Sequence, residues 1–373
     1  MCRPWPLHAG APRAGPPVTP PELPIPVDVE DVTAEWLGVA LGRAVAGIAV
    51  VDRHSGTTGR ARVALRWADG APGPDTLFLK LAPFDPDQRA FVARAGLGVA
   101  EARFYAELAS EVPVRVPAVY ASHWDEAGRY AMVLEDLGAS GCRFPRPRDD
   151  DIGDTAGRIV EELARLHARF WGDHRLEPGA ELGWVNAGSR VAFGRPGPYI
   201  PMAVERFGAE LGPAFRRLAE LYTTRGPEVA AVLAAGPPTL VHGDAHLGNL
   251  FVDGAAGGRP GFFDWAMVWR ATGMRDVAYV LGNSIPTDVR RAGEREWIAR
   301  YVATLGEHGV ALTERDAWEQ YRVLVAYAWA SATSTAAMGG LWQAERVGQG
   351  GMRRATATIE DLDTVAALEA ALG

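Results

Sequence analysis

The chain carries one lysine, Lys80; the rest of its 38 basic side chains are arginines. It has two cysteines, Cys2 and Cys142, too few for a disulfide framework and without zinc-finger spacing. It has no excess of positive charge. The formal net charge is −8, which excludes the basic footprint of a nucleic-acid partner. No apolar run reaches the length a transmembrane helix needs, so no membrane partner is expected. The first ten residues, MCRPWPLHAG, lack the apolar core of a signal peptide, and a cytoplasmic protein is the expectation. No internal repeat is visible. What remains is a chain of 373 residues, 48% of them hydrophobic, enough for one bilobal unit or two domains.

Residues 1–27 are Pro-rich and aperiodic and read as a disordered arm. Beyond them, Thr33 can cap a short helix whose Trp36, Leu37, Ala40 and Leu41 share a face. Val45 to Asp52 and Ala61 to Trp67 read as strands around the Gly-rich turn SGTTGR, Ser55 to Arg60. By itself that turn is an ordinary hairpin turn. TLFLKL, Thr76 to Leu81, is a third strand with Lys80 inside its apolar run. A helix follows over Gly98 to Ala109, with Glu101 in its first turns. Two more strands, Val116 to Ser122 and Arg129 to Leu134, run into Glu135-Asp136-Leu137-Gly138.

The rest of the chain is mostly helical in pattern. Asp150 to Trp171 places Ile159, Leu163, Leu166 and Phe170 on one face. Tyr199 to Leu221, Pro227 to Ala235, Asp288 to Leu305, Glu314 to Ala337 and Gly351 to Leu372 also read as helices. The exception is LVHGDAHLGNLFVDGAAGGRPGFFD, Leu240 to Asp264, where short apolar runs alternate with polar loops. Such strands deliver polar side chains to one loop edge. Asp244 and Asn249 stand in the D-x-x-x-x-N relation of a phosphoryl-transfer loop, whose Asp takes the proton of the attacking hydroxyl and whose Asn binds Mg²⁺. Asp264, at a strand end, supplies a further hard oxygen ligand. His242, Asp244, His246 and Asp264 are also residue types that could hold zinc in a metallohydrolase, although no H-E-x-x-H motif accompanies them. His246 and Asp276 read as loop-packing residues, and His167 as a core residue.

HGDAHLGN, then FFDW, then GMRDVA from Gly273 to Ala278, together resemble the aminoglycoside phosphotransferase family, with its choline kinase-like and ecdysteroid kinase-like members. The resemblance implies an α+β, bilobal, protein-kinase-like fold. Residues 28–138 would be a small lobe with an antiparallel sheet, and 139–373 a larger helical lobe. It implies transfer of the γ-phosphoryl group of ATP to a hydroxyl of a small-molecule acceptor, with Mg²⁺. In that frame Asp244 is the catalytic base, and Asn249 and Asp264 are the metal ligands. Lys80, braced by Glu101 of an E-x-x-F-Y helix, holds phosphates. Ser55, Gly56 and Thr57 cover the phosphates, although SGTTG departs from G-x-G-x-x-G. Glu135 and Leu137 belong to a hinge whose backbone meets the base. GTP in place of ATP stays open, and so does a catalytically silent nucleotide-binding pseudokinase or scaffold. Trp318, Tyr321, Tyr327 and Trp329, at helical spacing, are core or the lining of an acceptor cleft. If they line a cleft, a neutral or partly apolar acceptor is expected over a polycation.

Overall fold

Alternation along one short strand divides the smaller half of the molecule. In the computed structural model, which describes residues 23–68, 70, 72–186, 198–341 and 345–373, strand β3 is Thr76–Leu81. Leu77, Leu79 and Leu81 point into a small core with Ala61, Val63, Ala131, Val133 and the side chains of Trp36 and Leu37. Phe78 and Lys80, at the intervening positions, point the other way. The small core is covered by helix α1, Ala34–Ala40, capped by the Thr33 hydroxyl. The arm expected over 1–27 lies outside the described residues up to residue 22. From Leu23 the chain is packed instead: Leu23 and Ile25 lie against the small core, and Trp36 Nε1 donates to the carbonyl of Pro24 at 2.8 Å.

Five antiparallel strands form the sheet, in the order β1-β2-β3-β5-β4. They are β1, Val45–Ser55; β2, Gly59–Trp67; β3; β4, Val119–Trp124; and β5, Tyr130–Glu135. β4 begins three residues later than the sequence suggests, because Val116 and Pro117 precede the first paired residue. Between β3 and β4 lie α2, Pro86–Ala95, which periodicity did not reveal, and α3, Leu97–Arg103. The expected single helix from Gly98 to Ala109 changes pitch at Phe104–Leu108, where Ala109 N donates to the Phe104 carbonyl over a π turn. Gly98 is required here, since a Cβ would lie 1.8 Å from the Tyr130 ring.

The larger half is helical: α4, Ile152–Arg169; α5, Tyr199–Phe207; α6, Gly212–Thr224; α7, Gly226–Ala234; α8, Met274–Ser284; α9, Thr287–Glu307; α10, Glu314–Ala337; α11, Glu345–Asp361; and α12, Thr364–Leu372. Two small ribbons interrupt it. β6, Pro238–Val241, pairs with β9, Trp269–Thr272, and β7, Leu250–Asp253, pairs with β8, Arg259–Phe262. Their connecting loops carry the polar residues of the central motif. The architecture is the bilobal α+β, protein-kinase-like fold. Its halves share one core: Met132 and Leu134 of β5 and Phe104 join the same apolar cluster as α4, α8 and α10. Among the described residues no helix is long and apolar enough to cross a membrane.

Candidate active site

Lys80 is 4% exposed and Glu101 is fully buried, at the base of a cleft between the sheet and the helical half. β3 aims Lys80 away from the small core, and α3 brings Glu101 against it. Lys80 Nζ lies 2.7 Å from Glu101 Oε1 and 3.0 Å from Asp264 Oδ1. Burial alone would pull the lysine pKa down, but the charges of Asp264 and Glu101 outweigh it and hold the pKa above its ordinary value. Burial pushes the Glu101 carboxyl up to about 7, with Lys80 opposing. Asp264 is held below the usual carboxylate range despite burial, chiefly by Lys80, with Arg60 and His242 adding to the effect.

Asp264 adopts a left-handed backbone, φ 65° and ψ 64°, which costs a non-glycine residue about 1 kcal/mol. The turn it makes places Trp265 flat on Phe104, with centroids 3.9 Å apart and planes 7° from parallel. Phe104 opens the π turn that follows the Glu101 helix, so the stack packs the loop of Asp264 against the end of that helix. A π turn at such a junction accommodates both Phe104 and Tyr105 as buried residues.

The second loop is anchored from beneath. The buried carboxylate of Asp276, in the first turn of α8, accepts from His242 N at 2.7 Å and Gly243 N at 2.9 Å. His167 Nε2 lies 3.3 Å from the same carboxylate, and His167 Nδ1 lies 2.9 Å from the Tyr301 hydroxyl. These donors outweigh burial and hold Asp276 below its ordinary pKa. His167 is therefore core, as its position on α4 suggests, and also a strut of the loop. Gly243 has φ +81°, and a Cβ there would lie 2.1 Å from the Met267 carbonyl, so only glycine fits. Both ring nitrogens of His242 are engaged: Nε2–H donates to the Phe263 carbonyl at 3.0 Å and Nδ1 accepts from Asp244 N at 3.2 Å. That pattern fixes a neutral imidazole, and burial lowers its pKa accordingly. With both ring nitrogens occupied, His242 is not a zinc ligand. Among the described residues no three His, Cys, Asp or Glu side chains are grouped to hold a metal by themselves.

Asp244 is presented at the open edge of this loop. Its Oδ2 accepts from Asn249 Nδ2 at 3.0 Å, and its Oδ1 accepts from the Tyr279 hydroxyl at 2.9 Å. Asn249 Nδ2 also reaches the Asp244 carbonyl at 3.0 Å. Its amide nitrogen is thereby spent, which leaves its Oδ1 as a hard oxygen for a cation. Asp264 adds a carboxylate to that oxygen. This donor set suits Mg²⁺, which takes one or two protein oxygens and completes its shell with phosphate and water. The two loops are tied together by the His242–Phe263 bond and by Phe263 N donating to the Asn249 carbonyl at 3.0 Å.

The remaining candidates are Ser55, Gly56, Thr57, Glu135 and Leu137. Ser55, Gly56 and Thr57 form the turn between β1 and β2. The Ser55 hydroxyl accepts from Phe84 N at 3.0 Å, and Thr57 is exposed. The Glu135 side chain is spent on Arg115 Nη2, 2.8 Å from both carboxylate oxygens, and the Leu137 carbonyl accepts from Cys142 N. Glu135 N is spent as well, on the Ala118 carbonyl at 2.9 Å, so the groups left to meet a ligand are the Glu135 carbonyl and Leu137 N. Sequence reading missed Tyr279, although it sits three residues after Asp276 and so on the same helix face. It also missed Ser331, whose hydroxyl is 3.1 Å from that of Tyr279.

The aromatic helix requires a correction. Trp329 and Tyr321 are fully buried, Trp329 against Phe215 and Tyr222 of α6, and Tyr321 donating to Glu294 at 2.9 Å. Trp318 stacks under Arg295. Of the four, Tyr327 alone reaches the loop, donating to the Gly243 carbonyl at 3.2 Å. The apolar-acceptor expectation that rested on this set loses its basis.

A model of the phosphotransferase enzyme family (APH) matches residues 50–324, most of the chain and every residue of this centre but Tyr327 and Ser331. The chain belongs to that family. Its fold is similar to that of an ethanolamine kinase from Plasmodium vivax, with a TM-score of 0.53 and 13% identity over 83% of this chain and 81% of that one. It is also similar to a putative aminoglycoside phosphotransferase from Ralstonia eutropha, with a TM-score of 0.51 and 16% identity over 88% and 97%. No curated protein matches the sequence. As a family member the chain is a small-molecule phosphotransferase.

Proposed function

We propose that the protein is an ATP- and Mg²⁺-dependent kinase that transfers the γ-phosphoryl group to a hydroxyl of a small molecule, such as an antibiotic, a sugar, a nucleoside or another alcohol. The observation that carries this reading is the convergence on one cleft of a lysine held between two carboxylates and an Asp–Asn pair at an open loop edge. The nucleotide belongs to residues 28–138, with Lys80, Ser55, Gly56 and Thr57 toward the phosphates and the backbone of Glu135 and Leu137 toward the base. The acceptor belongs to residues 139–373.

Asp244 positions the acceptor hydroxyl and takes its proton. Oδ1 accepts one hydrogen bond, from Tyr279, and keeps a second lone pair for that purpose, whereas Oδ2 accepts from Asn249 and also faces His246 Nε2 at 3.6 Å. Asn249 and Tyr279 fix the plane of the carboxylate, so that no reorganisation is needed when the hydroxyl arrives. Glu101 keeps Lys80 extended across the cleft. Asp264 and Asn249 Oδ1 would hold Mg²⁺, which supplies charge neutralisation for the phosphates when bound. The test is a panel of metabolites and antibiotics incubated with ATP and Mg²⁺, read by a mass gain of one phosphoryl group. Nucleotide binding without turnover on any acceptor, and without slow ATP hydrolysis, would favour a silent binding protein instead.

A further inference from the structure

Arg60 stands directly across the β2–β3 ladder from Lys80. Residues opposite each other in an antiparallel pair project from the same face, so both cations face the cleft. Two residues along that face, Arg62 is already committed, its Nε 2.7 Å from Asp136. Arg60 is not: among the described residues it has no ion pair and no side-chain hydrogen bond, and its buried Nε lacks a partner. Its guanidinium lies beneath the Gly-rich turn, with Nη2 3.5 Å from where a side chain on Gly56 would begin. It is close enough to Asp264 to help hold that carboxyl ionised.

Lys80 faces two carboxylates, Glu101 and Asp264, which consume its charge. The cleft around it is therefore short of positive charge for a polyanion. Arg60 feels the charge of Asp264, but that carboxylate is already paired with Lys80, so an anion that joins the half-buried guanidinium offsets the cost of its burial. Its planar fork matches phosphate oxygens, which one ammonium already shared by two carboxylates cannot do.

We propose that Arg60 is a phosphate-binding residue, contributing the uncommitted cation that receives the nucleotide's terminal phosphates beside Lys80. This rests on the nucleotide reading given above. The test is calorimetric titration of the wild type, Arg60→Ala and Arg60→Lys with Mg-ATP and with adenosine. Arg60→Ala weakens Mg-ATP about tenfold or more, the size of one charge-assisted hydrogen bond, while adenosine affinity stays within about twofold; Arg60→Lys recovers part of the loss. Arg60→Gln, which keeps the stem, replaces Arg60→Ala if circular dichroism shows that variant unfolded. Unchanged Mg-ATP affinity, or a parallel loss of adenosine, overturns the assignment. Failure of the wild type to bind either ligand is a different result: it sinks the nucleotide reading, and the role of Arg60 with it.

Discussion

The Tyr279 hydroxyl donates to Asp244 Oδ1 at 2.9 Å, with the Ser331 hydroxyl 3.1 Å behind it. Helices α8 and α10 thus meet at the proposed base. Tyr279→Phe removes the donor and leaves the ring in place. Turnover should fall by about tenfold, the order of one hydrogen bond to a charged group, with the nucleotide KM unchanged. Full turnover in this variant would show that the partners of Oδ2, Asn249 and His246, orient the carboxylate without Tyr279.

Asp244→Asn and Asp264→Ala should fail differently. Loss of the base should cost roughly 10²–10⁴-fold in rate and leave nucleotide binding nearly intact. Loss of Asp264 should instead weaken Mg²⁺-dependent nucleotide binding. Titrations of both variants with and without Mg²⁺ decide it. Equal loss of nucleotide affinity in both would contradict the division of roles.

The Lys80–Glu101 pair should show in a double-mutant cycle. Lys80→Ala should lower nucleotide affinity or turnover, and Glu101→Ala should add little once Lys80 is gone. Additive losses would mean that the two act independently.

Glu101 also predicts a pH effect on stability. Burial raises its carboxyl from 4.5 to about 7, so the folded protein holds that proton more tightly than the unfolded chain. The contribution is fully present below the unfolded value and is lost as pH rises through about 7. Thermal melts should therefore decline more steeply with rising pH in the wild type than in Glu101→Gln across that window. Parallel profiles would rule the titration out.

Asp276→Asn should destabilise the protein by about 2–3 kcal/mol, because one amide oxygen cannot serve the donors that converge on the carboxylate. The Asp276 pKa is lowered, so its stabilisation is present above the ordinary carboxyl range and lost as pH falls through the folded value. Urea unfolding at neutral and acid pH measures both, and the gap between wild type and variant should close in acid. A gap that persists there would show that the carboxylate's charge is not what holds the loop.

Much of this arrangement was legible because chemistry and local pattern coincide. Lys80 stands out in an apolar strand, Asp244 and Asn249 are five residues apart in one loop, and Asp264 follows an apolar run. Arg60 and Tyr279 were not legible, because each matters through a partner distant in sequence. Arg60 needs the β2–β3 register, and Tyr279 needs the orientation of α8 over the loop. Periodicity showed that α10 has an aromatic face but not what covers it, and α6 covers Trp329. Phe104, which opens the π turn, stacks on Trp265, a contact between residues far apart along the chain that local pattern does not show.

The most direct measurement is phosphoryl transfer itself. The wild type and Asp244→Asn are incubated with the acceptor panel, ATP and Mg²⁺, and products are weighed by mass spectrometry. The account predicts at least one acceptor that gains a single phosphoryl group with the wild type and does so far more slowly with Asp244→Asn. An acceptor phosphorylated equally well by both proteins would contradict it.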